Sequence, residues 1–218
     1  MANAIEILLK LRDEASAGLD NISKSTKSLG ESVKASSKQM AFMGGAIVGA
    51  IGLAVKAAQE EEVGINKLNQ ALVLGGKSYE GEKAAIEAVV AAQQRKTNYG
   101  DGESRESLQR LISITGDYGV SLKAVSVAAD LAAATGMDLN AASLLVGKAL
   151  AGEVGSLSRY GIQIDAAAKP IEVLAALTKQ FGGSAAAAAN PVSQLKNRMG
   201  DMVETIGGAL LPMVNKMA

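Results

Sequence analysis

Between Ala128 and Ile164 short apolar helical stripes alternate with single glycines, and this alternation limits the fold more than any other feature of the chain. Ser121 is expected to N-cap a helix running to about Thr135, with Gly136 placed to end it in a left-handed conformation. Asp138 then caps a second helix, in which Ala142, Leu145, Val146, Ala149 and Leu150 fall at i, i+3, i+4, i+7 and i+8 and make one apolar face. Gly152 closes that helix. Ser156 opens a single turn, Leu157 to Tyr160, and Gly161 stops it before an alternating Ile162-Gln163-Ile164. Gly136, Gly152 and Gly161 are therefore expected helix ends, and by the same reasoning hinge points.

The punctuation extends upstream. Ile65, Leu68 and Leu72 form a stripe that halts at Gly75-Gly76, and Ile86, Val89 and Val90 mark a helix from about Tyr79 to Lys96, closed by residues 98 to 102. Leu108, Leu111, Ile112 and Thr115 mark another, ended by Gly116. The predicted fold class is all-α, a glycine-punctuated multi-helix bundle over residues 59 to 183 with long heptad-type helices at both ends. Aromatic residues are only 3% of the chain and tryptophan is absent, so alanine, leucine, valine, isoleucine and glycine must fill the core, which favours closely approaching helices.

Residues 1 to 40 begin with Ile5, Ile7, Leu9 and Leu11 alternating with Glu6, Leu8, Lys10 and Arg12, a period-two pattern that predicts a short amino-terminal strand. From Ala15 the period changes: Leu19, Ile22, Leu29 and Val33 belong to a seam stepping by three and four, as in a helix that pairs with another. Residues 41 to 58 are an apolar, small-residue segment. The 17 residues from Gln39 to Val55 carry no charge, and Gly45, Gly49 and Gly52 offer close-packing positions. This length lies at the low edge for a transmembrane helix; a buried or oligomer-facing helix is the competing reading. Residues 184 to 218 comprise an alanine-rich linker and an amphipathic helix. Asn190-Pro191 is its start signal, Leu195, Met199, Met202 and Ile206 lie on its seam, and a kink or end is expected near Leu211, before Pro212.

The chain lacks histidine and cysteine, and so the commonest general base, the commonest metal ligand and the thiolate nucleophile. No cofactor and no catalytic residue is expected, and Asp and Glu read as scattered over solvent faces. Glu60-Glu61-Glu62 cannot converge on one ion, because consecutive helical residues point in different directions. Gly75-Gly76-Lys77-Ser78 imitates the end of a phosphate-binding loop, but Ala71 stands where glycine is required and a helical stripe precedes it. Lys24, Lys27, Lys34 and Lys38 suit phosphates or lipid head groups, yet Asp20 and Glu31 interleave with them as on an ordinary wetted face. Lys+Arg and Asp+Glu balance at 22 each, and no sequence-specific nucleic-acid partner is expected. The absence of cysteine suits a chain made in a reducing cytoplasm. The amino terminus lacks the pattern of a secretory signal.

The run from Leu131 to Ile162, LAAATGMDLNAASLLVGKALAGEVGSLSRYGI, resembles the signature block of tail tape measure proteins of long-tailed bacteriophages and prophages: an alanine-rich helix, TG, a helix ending in VGKAL, a small loop and L-x-R-x-GI. The resemblance extends to Phe181-Gly182-Gly183, to Leu195–Ala218 and to Ile5–Ile22, about two thirds of the chain. It implies a structural virion protein, made in the host cytoplasm and placed in the tail lumen, where about three extended copies set tail length and assist DNA ejection. It also implies tail tube proteins, tail tip proteins and assembly chaperones as partners, with the host inner membrane met during ejection. Drawn out as one helix, 218 residues reach only about 330 Å, so a short family member or the amino-terminal region of a longer one is expected. The competing classes are a membrane-inserting helical protein forming a pore or channel, and a cytoplasmic helical adaptor.

Overall fold

The computed structural model describes residues 40–214, with side chains from residue 51 to residue 212. The expected strand at residues 5 to 12, the seam residues Leu19, Ile22, Leu29 and Val33 and the four lysines beside them lie outside the described residues. The chain divides into two units, Met1–Gly52 and Leu53–Ala218, and every side-chain contact described here lies within the second.

Among the described residues the fold is all-α, with eight α-helices and no strand. They are α1 (Met40–Leu74), α2 (Tyr79–Lys96), α3 (Asp101–Thr115), α4 (Tyr118–Thr135), α5 (Leu139–Leu150), α6 (Pro170–Phe181), α7 (Ser184–Ala187) and α8 (Pro191–Val214), with a 3-10 helix at Val154–Tyr160 between α5 and α6. Ile162, which opens the Ile162-Gln163-Ile164 alternation, is buried in the helical core.

Helix starts follow side-chain caps. Ser78 accepts from the Gly81 N–H, Asp117 from the Val120 N–H, and Asp138 from the Ala141 N–H at 2.8 Å. The start of α4 is thus Asp117, not the expected Ser121. Ser121 lies one turn inside, fully buried, with its hydroxyl 2.8 Å from that of Thr115. Asp101 and Gly102, expected in the preceding loop, form the first turn of α3, which Gly100 caps. Gly136 and Gly161 end their helices at φ +73° and +75°, and Gly152 follows α5 at +99°. These are left-handed conformations that a Cβ would strain.

The core runs through Leu68, Ile86, Leu108, Leu111, Leu131, Val146, Leu157 and Leu177, all fully or almost fully buried. Alanine fills the gaps between the central helices, with Ala124, Ala128, Ala129 and Ala142 completely enclosed. At Gly147 a Cβ would come within 2.9 Å of Ile114 Cδ1, so a side chain there would have to push the Ile114 side chain aside. The buried hydroxyls of Ser107 and Ser143 satisfy each other across the same contact at 2.7 Å. In the alanine-rich tract α7 is a single turn. Ala185 enters the core, and its N–H is accepted by Asp130 of α4 at 2.9 Å.

One expectation is corrected. The uncharged stretch continues without a break into Lys56 and Glu60-Glu61-Glu62 as one 35-residue helix, and no helix among the described residues is long and apolar enough to cross a membrane. The transmembrane reading therefore fails for them. Gly45, Gly49 and Gly52 lie inside α1, and a Cβ on Gly52 would meet nothing within 4 Å. At the other end, Pro212 lies inside α8, which reaches Val214.

Candidate functional site

Helix α8 is seated with its polar side inward. Its Gln194 donates to the Arg95 carbonyl at 3.2 Å and Asn197 donates to the Asn98 carbonyl at 3.0 Å. Asp201 accepts from Gln94 through both oxygens at 2.9 Å, and Glu204 reaches the carboxylates of Glu61 and Asp101. These four polar residues step by three, four and three, the spacing of one helix face. The same helix leaves its apolar face outward: Leu195, Met199, Met202 and Ile206 are exposed, as is Val192, at values from 42% for Ile206 to 73% for Val192. The expected seam residues do share a face, but among the described residues that face is not buried.

The start of α8 is fixed by a clasp. Asn98, just beyond α2, accepts the Asn190 N–H at 2.7 Å and donates to the Ala188 carbonyl at 2.8 Å, while Asn190 caps Val192. Near the opposite end, Gly207 is buried against α1, where a Cβ would overlap the Ala54 carbonyl and lie 3.1 Å from Ala58 Cβ.

Between the clasp and this close contact stands a cluster that sequence reasoning missed. Arg105 of α3, a tenth exposed, forks onto Glu87 with Nε at 3.0 Å and Nη2 at 2.9 Å, and its Nη1 lies 2.6 Å from Asp101 and 3.4 Å from Glu61. Tyr79 adds a hydrogen bond to Glu87 at 2.7 Å. Burial alone would push Glu87 up, but the hydrogen bonds from Arg105 and Tyr79 outweigh it and hold the carboxyl below its usual range. Tyr79 itself is pushed up to about 12, by burial first and by Glu87 second.

Among the described residues Glu204 has no such partner. Burial, and then the negative charges of Asp101, Glu61 and Asp201, raise it to about 7 against the opposing pull of Arg105. Burial also raises Glu61, again against Arg105. One carboxylate oxygen from each of Glu61, Asp101 and Glu204 lies within 4.8 Å of the others, beside a groove of about 670 Å³ edged by Lys56, Lys67 and Glu106. Arg105 already supplies positive charge to two of the three, so the arrangement functions as an ion-pair network joining α1, α2, α3 and α8. The acidic residues are thus not all scattered over solvent faces. Glu60 and Glu62 are exposed as expected, but Glu61 turns inward.

The Asp101–Arg105 spacing of four was legible as a helix pair, whereas Glu87 and Glu204 carry no local signal. Lys77 and Ser78 of the phosphate-loop lookalike are engaged locally: Lys77 pairs with Glu82 at 2.6 Å, and Ser78 caps α2. Comparison with known protein families, with curated proteins and with solved structures finds no match.

Proposed function

We propose that this chain is a structural, self-associating helical protein, and that its setting is the phage tail, as a tape measure component in the tube lumen. The observation that carries the self-association is the outward seam of α8: a helix that places Leu195, Met199, Met202 and Ile206 in solvent and its carboxylates on its own body is built to meet another surface. The tail setting rests on the resemblance of Leu131–Ile162, whose helix–glycine–helix order the fold reproduces. In the lumen, about three copies with the left-handed glycines at 136, 152 and 161 opened would form a longer rod, about which tube protein assembles.

The test is to purify intact tails from a lysate of cells carrying this gene, strip external proteins with protease, and search the protected fraction by mass spectrometry. Protected peptides from residues 128–164, together with a tail length that shortens when this segment is deleted in frame, are the expected result. Complete absence of the chain from protease-treated tails overturns the tail reading. The cytoplasmic adaptor is its competitor, and on that reading the chain remains with the soluble fraction.

A further inference from the structure

The outward stripe of α8 has a defined register. Val192, Leu195, Met199, Met202, Ile206 and Ala209 step by three and four, as a and d positions of a heptad, and Lys196, Arg198, Val203 and Thr205 flank them. The only charged flanking residues, Lys196 and Arg198, are exposed cations near the start of the stripe. The anions of this helix face inward, Asp201 accepting from Gln94 and Glu204 lying within 4.8 Å of the Glu61 and Asp101 carboxylates. Two such helices side by side in parallel would gather four cations at one end with no anion opposite. Antiparallel, each pair of cations meets the partner's uncharged second half, with Lys196 opposite Thr205 and Arg198 opposite Val203. The spacing also closes on itself. Reversed about the point midway between Met199 and Met202, Val192 falls opposite Ala209, Leu195 opposite Ile206, and Met199 opposite Met202, each a against d.

We propose that the outward face of α8 is the seam of an antiparallel, two-fold pair with α8 of a second copy of this chain. The pairing rests on the self-association in the proposed function and not on the tail setting. It gives the free protein a way to cover its seam before assembly. A two-fold antiparallel pair must come apart before three copies can align, so it also separates the stored form from the assembled one.

The native sequence has no cysteine, which makes site-directed cross-linking of the full chain direct. Leu195→Cys and Ile206→Cys proteins carrying different tags are mixed and oxidised. The expected product is a disulfide between the two tags, with neither variant linking efficiently to itself. Sedimentation equilibrium of the unmodified chain is expected to give a dimer. Met199→Glu with Met202→Glu should give a monomer with the same helical circular dichroism, since both side chains are exposed. Self-linking of Leu195→Cys would show a parallel seam and overturn the proposal. So would a trimer, a monomer at every concentration reached, or a dimer that survives the double glutamate substitution, which would place the contact on another surface. None of these outcomes bears on whether the chain is found in tails.

Discussion

Gly207 of α8 lies against the carbonyl of Ala54 in α1 with no room between them for even a methyl group. The next residue, Gly208, has nothing within 4 Å of where its Cβ would be. Adjacent glycines thus carry opposite consequences. Gly207→Ala forces the helices apart and is expected to cost about 1–3 kcal/mol, whereas Gly208→Ala replaces a floppy residue in a helix and is expected to stabilise by about 0.5–1 kcal/mol. Chemical unfolding of the two variants side by side checks both signs.

Among the described residues Arg105 is the one cation that forms ion pairs with Glu61, Glu87 and Asp101. Its replacement by methionine keeps the packing of the stem and leaves three carboxylates facing one another. The expected loss is about 3 kcal/mol, toward the lower end for breaking a buried pair because the carboxylates are partly wetted. Arg105→Lys should recover only part of it, since an ammonium cannot fork onto Glu87 while reaching Asp101. Thermal melts at neutral pH read the ranking: native, then lysine, then methionine.

The charge state of Glu204 sets a pH dependence with a definite sign. Its carboxyl is raised in the folded protein to about 7, chiefly by burial, so the folded state holds the proton more tightly than the unfolded chain. The resulting stability is complete below the ordinary glutamate value and is lost as pH rises through about 7. Glu61 is shifted in the same direction. Glu87 is lowered and acts oppositely, contributing stability that is lost as pH falls. Glu204→Gln is expected to flatten the decline in melting temperature between pH of about 5 and about 8, and to make the protein more stable than native at the upper end. An unchanged slope would remove Glu204 as its cause.

The left-handed glycines give a fourth prediction. Gly136→Ala and Gly161→Ala each place a Cβ at positive φ, and each should cost about 1–2 kcal/mol. Gly155, in the 3-10 helix with ordinary φ and open space around it, should accept alanine without penalty.

Most of the helices were legible because they are written locally. Asp138 as cap, Gly116 and Gly136 as stops, and the Ala142–Leu150 stripe depend only on residues within a few turns. The Asp117 cap was missed in favour of Ser121 because both are good N-caps four residues apart. The choice falls to burial: Ser121 is enclosed between α3 and α4, where its hydroxyl is satisfied by Thr115. Helix α8 shows a different limit. Its apolar period was correctly placed, but the direction in which that face points is set by the polar period beside it, through Gln94, Arg95 and Asn98, about a hundred residues away in sequence. Apart from the Asp101–Arg105 spacing, the Arg105 cluster was invisible for the same reason, since Glu61, Glu87 and Glu204 come from three other helices.

The clasp at Asn98 gives the final helix a pivot. Donated and accepted hydrogen bonds pin Ala188 and Asn190 there, whereas the far half is seated by the close backbone contact of Gly207 with Ala54. A swing arm fixed in this way unlatches from its free tip and returns to the same seat. Amide exchange near Ile206 should therefore outpace that near Gln194, without any loss of the core.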